Sequence, residues 1–315
     1  MGRLAGRVAI VTGAGRGLGR AHALFLSEQG AAVVVNDLGG GVSGDAGTKV
    51  SPAEQVVAEI RAHGGKAVAS AHDVSDWGQA NELIDLAVEA FGDLHVLVNN
   101  AGIIRDRTLA NLEEQDWDLV IKVHLKGHAA PTRHALAYWR AQAKAGREVK
   151  ASVVHTTSIA GFVGSFGQAN YSVAKAGLIA LSKVVALEGT KYGVRSNAVS
   201  PSARTRITLT IPGAEGRLKA PEDPGAFDFY APENVSPLIG WLAEENCPAN
   251  DQIFHIAGNR LYIVAIPQIV HVLEYDGRWT LEALDRQVPQ RLVEPLTIDV
   301  FLRPPSTPTD AARPR

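Results

Sequence analysis

Residues 7–19 have the sequence RVAIVTGAGRGLG, and this stretch decides the fold. A short apolar run leads directly into a turn rich in glycine, and an amphipathic stretch follows it to about residue 29. Glycines between a strand and a helix permit a tight bend, and the free N–H groups at the helix start favour a phosphate. The pattern predicts a dinucleotide-binding βαβ unit. Its predicted cofactor contacts are Gly13, Arg16, Gly17, Leu18 and Gly19.

The alternation of apolar runs and amphipathic stretches continues along the chain. Predicted strands lie at 7–12, 31–37, 66–70, 95–100, 151–157, 194–200 and 251–257. Predicted helices lie at about 17–29, 52–63, 77–91, 109–145, 169–190 and 232–244. Strands that are apolar throughout are typical of a parallel sheet covered on both faces. We therefore predict an α/β fold, a Rossmann-like doubly wound sheet of about seven strands, with a ligand crevice at the carboxyl ends of the strands.

The domain organisation predicted from the sequence is a single Rossmann domain, residues 1–260, followed by a C-terminal extension, residues 261–315. A long segment broken by proline and glycine, residues 200–233, is predicted to form a lid. Its first half is basic and its second half is acidic, so either the basic half contacts the phosphates of CoA or the two halves pair with each other. We expect the last residues, RPPSTPTDAARPR, to be disordered.

Composition excludes several classes of protein. A net charge of −2 gives no electrostatic case for binding nucleic acid. No apolar run is long enough to span a membrane, and no metal site is predicted. The single cysteine, Cys247, rules out an internal disulfide. Because the chain also enters a predicted strand within a few residues of Met1, we expect no signal peptide and a cytoplasmic location.

Asp37 ends the second predicted strand, 18 residues after Gly19. A carboxylate at this point can accept hydrogen bonds from the adenosine ribose, and it repels a 2′-phosphate. Arg16 is a competing signal, since a cation in the glycine turn could contact that phosphate. We weigh Asp37 more heavily and predict NAD, with NADP as the less favoured cofactor.

Two further strand ends carry predicted cofactor contacts. Asp73 and Val74 follow the third strand, where they could bracket an adenine ring, although Asp73 is equally well explained as a turn residue. The string NNAG ends the fourth strand, and its small residues allow a cofactor to approach closely. The predicted contacts there are Asn100, Ala101 and Gly102.

The predicted catalytic residues lie in HTTSIAGFVGSFGQANYSVAKAG, residues 155–177. Tyr171 and Lys175 are four residues apart, so on a helix they share one face. A lysine ammonium stabilises a phenolate, and we therefore expect Lys175 to lower the pKa of Tyr171. Ser158, at the end of a strand, could hydrogen-bond the same substrate oxygen. This arrangement predicts proton transfer to or from an alcohol beside a nicotinamide.

TGAGRGLG, NNAG, Ser158 and YSVAK together resemble the short-chain dehydrogenase/reductase family over roughly residues 5–260. The resemblance implies a Rossmann fold and a nicotinamide cofactor. It also implies that Tyr171 is the general acid/base, that Lys175 binds the nicotinamide ribose, and that Ser158 orients the substrate oxygen.

A narrower likeness is carried by VVVNDLGG, NNAGIIRDRTLANLEEQDWD, VHLKGH and GSFGQANYSVAKAG. These strings are similar to the (3R)-hydroxyacyl-CoA dehydrogenase domain of type 2 peroxisomal multifunctional enzymes and its bacterial relatives. The wider family pattern is not kept at His124, His95 and Ser202. His124 stands where many members have an asparagine that anchors a proton-relay water, so it is either a relay or a histidine paired to a backbone carbonyl. Thr205 is the nearest match to a threonine that contacts the cofactor.

Three functional hypotheses follow. The leading one is an NAD-dependent dehydrogenase of a 3-hydroxyacyl-CoA or a hydroxysteroid-like secondary alcohol. The alternative is an NADPH-dependent 3-oxoacyl-(carrier protein) reductase, which Arg16 supports. A remote alternative is a non-catalytic dinucleotide sensor, against which the intact set of Ser158, Tyr171 and Lys175 argues. The resemblance also implies a homodimer or homotetramer.

Overall fold

The computed structural model describes residues 2–44, 51–210, 216, 218–223, 225–265 and 267–302. Its centre is one eight-stranded sheet in the order β3-β2-β1-β4-β5-β6-β7-β8. The strands are β1 Val8–Thr12, β2 Ala32–Asn36, β3 Lys66–Ser70, β4 Val96–Asn99, β5 Ala151–Thr156, β6 Val194–Ser202, β7 Ile253–Ala257 and β8 Arg260–Val264. β1 pairs with β2 on one side and with β4 on the other, so the strand order reverses at β1. The predicted doubly wound α/β class is confirmed.

The eighth strand differs from the prediction. β1 to β7 are parallel, as expected, but β8 pairs antiparallel with β7 at the edge of the sheet. The sequence RLYIV of β8 alternates partly buried and exposed side chains, with Leu261 and Ile263 exposed. Such alternation is typical of an edge strand with one covered face.

Helices cover both faces of the sheet. They are α1 Gly17–Glu28, α2 Pro52–Ala62, α3 Trp77–Phe91, α4 Glu114–Ile121, α5 Gly127–Lys144, α6 Ala160–Val163, α7 Ala169–Gly189 and α8 Ser236–Ala243. One core cluster joins the sheet to α1, α2 and α8, through residues such as Leu26, Ile60 and Leu242. A second cluster joins the opposite face to α3, α5 and α7, around Leu83 and Trp139. The predicted site residues thus lie on a sheet that is packed on both faces.

Local sequence signals explain where two of these helices start. Ser51 caps α2 by accepting a hydrogen bond from the amide of Glu54, and Pro52 occupies the first helical position, where no N–H is needed. Asp76 caps α3 through the amides of Gly78 and Gln79. Each cap satisfies backbone donors that the first turn of a helix leaves unpaired.

The single helix predicted over 109–145 is wrong in detail. The structure has a 3₁₀ turn at Leu109–Asn111, then α4, a π-helical turn at Lys122–Lys126, and α5. Pro131 in α5 has no amide hydrogen for the carbonyl of Gly127, so the regular hydrogen-bond ladder is interrupted just beyond the π turn. The wider π turn changes which side chains face the sheet, and His124 lies at its centre.

The chain divides into two compact units, Met1–Val264 and Ala265–Arg315. The second unit contains short helices at Leu281–Gln287 and Asp299–Leu302, and Thr280 caps the first of them by accepting a hydrogen bond from the amide of Ala283. The tail 303–315, expected to be disordered, lies outside the described residues. In the part of the chain that the structure describes, no helix is both long and apolar enough to cross a membrane.

Candidate active site

The glycine turn between β1 and α1 depends on the absence of side chains. Gly13 and Gly17 have φ angles of 63° and 53°, in the left-handed region that other residues rarely adopt. A Cβ on Gly19 would lie 2.3 Å from the carbonyl oxygen of Gly13. A Cβ on Gly13 would lie 2.8 Å from the Cα of Ala101, which belongs to the neighbouring loop after β4. Only glycines can therefore form this bend.

Thr12 and Asn100 join the glycine turn to the loop after β4. The Thr12 hydroxyl accepts hydrogen bonds from the amides of Asn100 and Ala101, at 2.9 and 3.1 Å. In return, the Asn100 side-chain amide donates to the carbonyl oxygens of Thr12 and Gly13, at 3.0 and 3.3 Å. Thr12 is completely buried. It was not among the predicted contacts, although its place directly before the first glycine is visible in the sequence.

Asp37 follows β2, and its carboxylate is held by backbone amides. Oδ2 accepts from the amide of Gly15 at 2.9 Å, and Oδ1 accepts from the amide of Gly39 at 2.7 Å. The carboxylate therefore lies beside the glycine turn. Two cations act nearby: burial and the charge of Arg16 lower the pKa of Arg206, while Asp37 raises it.

The remaining predicted contacts are placed as follows. Asp73 acts as a turn residue, because its Oδ1 accepts hydrogen bonds from the amide and the hydroxyl of Ser75. The side chain of Val74 is buried in the core. Thr205 lies beside the glycine turn, since its Cγ2 would be 3.6 Å from a Cβ on Gly17. Leu18, the second residue of α1, packs against the core.

These residues fit a dinucleotide. The turn leaves no room for a Cβ at Gly13 or Gly19, the start of α1 presents backbone N–H groups, and Arg16 at that start makes no capping bond with its side chain. Unpaired N–H groups at a helix start bind phosphate. Residues of this turn, with Asp37 and Asn100, would hold the cofactor at the carboxyl ends of β1, β2 and β4.

Ser158, Tyr171 and Lys175 come together at the carboxyl end of β5. Ser158 lies just after the strand, and its Oγ accepts a hydrogen bond from the amide of Ala160 at 3.2 Å. The Lys175 ammonium lies 5.5 Å from the centre of the Tyr171 ring. It donates to the carbonyl oxygen of Thr156 at 2.7 Å. Tyr171 is partly buried and Lys175 almost completely buried.

The ionisation of this group differs from the expectation. Burial raises the pKa of Tyr171 to about 12, and a hydrogen bond with Ser158 opposes that rise. Burial also lowers the pKa of Lys175 to about 7. Lys175 is therefore only partly protonated at neutral pH, and its hydrogen bond goes to Thr156 rather than to the phenol. The predicted lowering of the Tyr171 pKa by Lys175 is not found in this arrangement.

His124 lies against Tyr171. Its ring meets that of Tyr171 edge to face, with 5.2 Å between ring centres. Nε2 is 2.7 Å from the carbonyl oxygen of Ile103 and 3.1 Å from its amide nitrogen. This is the backbone pairing that the sequence left open as one alternative. A Cβ on Gly102 would lie 2.4 Å from Cε1 of His124, so the histidine requires glycine at the end of NNAG.

Two supporting residues escaped the sequence analysis. Asn170 fixes the start of α7, since its Oδ1 accepts from the amide of Tyr171 and its side-chain amide donates to the carbonyl of Arg105. Gly161 allows α6 to approach α7, because a Cβ there would lie 2.7 Å from the carbonyl carbon of Lys175. The sequence could have indicated both residues only by their proximity to Tyr171 and Ser158.

The two halves of the lid pair with each other where the structure describes them. Arg204 and Asp228 form an ion pair, and Arg204 also donates to the carbonyl of Leu218. Lys219 pairs with Glu222. Arg217 lies outside the described residues. Arg204 and Lys219 are thus engaged within the lid.

A tyrosine and a lysine one helical turn apart, at the same sheet edge as a dinucleotide-type glycine turn, fit a nicotinamide-dependent oxidoreductase. Residues 7–210 match the sequence profile of the family described as short chain dehydrogenase. The chain belongs to this family, and it is an oxidoreductase that acts on CH–OH groups.

Relatives of the chain carry several names. It is 43% identical over 254 residues to peroxisomal multifunctional enzyme type 2 of Mus musculus, covering 81% of this chain and 32% of the mouse protein. It is 43% identical over 281 residues to hydroxyacyl-CoA dehydrogenase ChsB1 of Mycobacterium tuberculosis, covering 87% of this chain and 84% of that one. It is also 42% identical to a 3-oxoacyl-[acyl-carrier-protein] reductase of Synechocystis, over 82% of this chain and 98% of the reductase. The chain thus spans about a third of the mouse enzyme.

The fold has a close match among solved structures. The crystal structure of a short chain dehydrogenase from Mycobacterium avium superposes with a TM-score of 0.82 at 47% identity. The match covers 92% of this chain and 95% of that one.

Proposed function

We propose that this chain is an NAD-linked dehydrogenase that oxidises the 3-hydroxyl group of an acyl-CoA thioester. The reaction type is supported by the convergence of Ser158, Tyr171 and Lys175 at the carboxyl end of β5, on the same sheet edge as the glycine turn. The proposed substrate class is supported by the mycobacterial relative. That protein is named a hydroxyacyl-CoA dehydrogenase, and it matches most of this chain. A hydroxysteroid-like alcohol is the second substrate class to test.

The preference for NAD is supported by Asp37. Its carboxylate is fixed by the amides of Gly15 and Gly39 at the end of β2, the position where the adenosine ribose lies in this fold. A fixed negative charge there would repel a 2′-phosphate. Arg16 and Arg206 oppose this argument, because two cations beside the same turn would attract the phosphate. Those cations and the Synechocystis relative favour the second candidate, an NADPH-dependent 3-oxoacyl reductase.

The chain's own residues perform the proton chemistry. The bound nicotinamide supplies the hydride acceptor. Tyr171, as phenolate, accepts the hydroxyl proton of the substrate, while Ser158 fixes the substrate oxygen. Because burial holds the pKa of Tyr171 near 12, the phenolate needs electrostatic support at neutral pH. Lys175, within one helical turn, supplies that support when it is protonated, and we assign it this role together with binding of the cofactor ribose.

The test is a set of initial rates with purified protein. We expect the highest kcat/KM with NAD and a 3-hydroxyacyl-CoA, and lower values with hydroxysteroids, with NADP, and with 3-oxoacyl thioesters plus NADPH. Asp37→Ser, which removes the charge, is expected to reduce the preference for NAD over NADP by about tenfold or more. A wild-type preference for NADPH and a carrier-protein thioester would replace this function with the second candidate.

We also propose that the protein forms a homo-oligomer and works in the cytoplasm. The exposed apolar residues Val173, Val184 and Leu187 on α7 support self-association. The free, buried Cys247 is compatible with a reducing compartment. Light scattering on the purified protein tests the first proposal, and a monomer at micromolar concentration would reject it. Imaging of a tagged chain in its own cell tests the second.

A further inference from the structure

A short stretch of main chain joins the cofactor end of the site to the loop after β4. This strap, residues 39–44 with the sequence GGGVSG, follows β2 and Asp37. Its first amide, that of Gly39, donates to Oδ1 of Asp37 at 2.7 Å. Gly39 is buried, and the residues from there to Ser43 are at most partly exposed. The strap therefore starts at the carboxylate that we propose to hold the adenosine ribose.

The far end of the strap is bonded to a connector, residues 103–106, in the loop after β4. The amide of Ile104 donates to the carbonyl of Val42 at 3.0 Å, and Nε of Arg105 donates to the carbonyl of Ser43 at 2.7 Å. Ile104 is buried, so its amide requires an acceptor within the protein, and the strap supplies that acceptor. Main-chain and side-chain bonds thus both hold the strap to the connector.

The connector also holds the start of α7. The side-chain amide of Asn170 donates to the carbonyl oxygens of Arg105 and Asp116, at 3.0 and 3.2 Å. Oδ1 of the same side chain accepts from the amide of Tyr171 at 2.8 Å. Nη1 of Arg105 lies 3.8 Å from Oδ1 of Asp116, so the two residues whose carbonyls hold Asn170 also form an ion pair. Asn170 is completely buried, and its contacts fix the main chain at Tyr171.

Two other residues of the connector contact the same region. The carbonyl and the amide of Ile103 both face Nε2 of His124, whose ring lies against Tyr171. Oδ2 of Asp106 accepts from the side-chain amide of Gln168 at 2.8 Å, and Gln168 immediately precedes α7. The connector is thus bonded to the strap on one side and to the surroundings of Tyr171 on the other.

Arg105 takes part in both sets of contacts, because its side chain binds the strap and its carbonyl binds Asn170. We propose that Arg105 is a positioning residue for Tyr171, which it places relative to the adenosine end of the cofactor through the strap. This inference rests on the proposed function, in which Tyr171 accepts the substrate proton. A misplacement of about 1 Å can cost about 100-fold in rate, so a bond that fixes the start of α7 affects the chemical step without touching the substrate.

The first test is a single-turnover oxidation of a 3-hydroxyacyl-CoA, followed by the absorbance of NADH. Arg105→Met removes the donor to the strap and keeps the apolar stem of the side chain. We expect the rate constant for hydride transfer to fall about tenfold or more. The half-saturating substrate concentration should stay unchanged, because Arg105 acts through Tyr171. Arg105→Lys keeps a cationic donor and should recover most of the rate.

Arg61→Met is the matched control. Nε of Arg61 also donates to a main-chain carbonyl, that of Ala67 at 3.0 Å, but this bond joins α2 to β3, outside the strap and the connector. An unchanged rate constant in Arg105→Met, or an equal loss in Arg61→Met, would overturn the proposal.

The second test needs no turnover. Amide hydrogen exchange of residues 169–173, at the start of α7, is measured by mass spectrometry in protein without ligand. Arg105→Met should exchange faster there than the wild type, whereas Arg61→Met should not. The amides of β1 serve as an internal reference. Equal exchange at residues 169–173 in the wild type and in Arg105→Met would show that Arg105 does not hold this segment, and it would overturn the proposal.

The same measurement with ADP tests the strap. ADP carries the adenosine ribose and the pyrophosphate but neither the nicotinamide nor its ribose, so an effect on α7 must pass through the protein. We expect saturating ADP to slow exchange at residues 169–173 in the wild type and not in Arg105→Met. No protection in the wild type, or equal protection in both proteins, would overturn the proposal. If no 3-hydroxyacyl-CoA is oxidised, the proposed function fails, and the exchange measurements still decide the role of Arg105.

Discussion

The cofactor half of the site and its catalytic half are built on different physical principles. In the cofactor half, from β1 through α1 to β2, the structure is set by space: a Cβ on Gly19 would lie 2.3 Å from a carbonyl oxygen, and Gly13 adopts a positive φ. In the catalytic half, around β5 and α7, it is set by charge: Tyr171 and Lys175 both have pKa values shifted against their charged forms by burial.

The difference determines how each half responds to substitution. A steric site fails when atoms are added, whatever the pH, because backbone cannot move aside at low cost. An electrostatic site fails when a titratable atom is removed, and its response depends on pH. The two halves meet at Thr12 and Asn100, which hold the glycine turn to the loop that leads to His124.

The largest effect is expected from Tyr171→Phe in the catalytic half. Removing the phenol oxygen leaves no group to accept the substrate proton, so kcat should fall about 10³-fold or more. Dinucleotide binding, followed by fluorescence titration, should stay close to wild type, because the glycine turn is untouched. Tyr192→Phe, just beyond the end of α7, serves as the control and should keep full activity. Substantial turnover by Tyr171→Phe would mean that another group carries the proton.

Gly19→Ala tests the cofactor half. The added methyl group must displace the carbonyl of Gly13, so we expect a loss of about 1–3 kcal/mol in the free energy of unfolding and dinucleotide binding weaker by about 10- to 100-fold. Gly78→Ala is the matched control: Gly78 also lies in the first turn of a helix, but its nearest neighbour would be 3.4 Å from a Cβ. Equal effects of the two substitutions would remove the steric explanation.

Lys175→Met tests the electrostatic half of the site, because only an electrostatic effect on stability should depend on pH. Burial lowers the pKa of Lys175 from 10.5 to about 7, so between these values the unfolded chain holds a proton that the folded chain does not. Wild-type stability should therefore rise with pH across that window. Below pH 7 the variant should be more stable by up to about 5 kcal/mol, reduced by the loss of the hydrogen bond to Thr156, and this gain should shrink toward pH 10.

Urea unfolding at several pH values measures the difference, with Lys183→Met on the same helix as control. Lys183 is largely exposed and pairs with Asp251, so its removal should give no gain in stability below pH 7. A gain for Lys175→Met that is constant with pH would point to packing rather than charge as its source.

The sequence predicted the cofactor half in more detail than the catalytic half. Glycine sterics are local, so Gly13, Gly17 and Gly19 could be interpreted from a run of eight residues with the strand before it and the helix after it. Asp37 was predicted in the same way, because the end of β2 is fixed by the parallel sheet. Asp73 was less certain for a physical reason: a carboxylate after a strand caps a turn as readily as it meets a ligand, and here it bonds Ser75.

The catalytic half depends on contacts between residues distant in sequence. The pKa of Tyr171 is decided by how many atoms surround it, which its four-residue spacing from Lys175 cannot report. The π turn that points His124 toward Ile103 is a small change in hydrogen-bond pattern inside a stretch whose composition predicts one long helix. His128 and His155, 27 positions apart, meet only through the folding of α5 onto β5.

The smallest effect is expected from substitution of Thr12, and it tests whether the two halves of the site depend on each other. Thr12→Val keeps the shape but leaves the amides of Asn100 and Ala101 without an acceptor in a completely buried position, which should cost about 1–2 kcal/mol of stability. Thr12→Ser retains the hydroxyl, so it should lose less. Asn100 holds the glycine turn, and Gly102, two residues later, packs against His124. If a shift of Asn100 therefore moves both halves of the site, Thr12→Val should also weaken dinucleotide binding and lower kcat. A loss of stability with unchanged binding and kcat would show that the two halves are held in place independently.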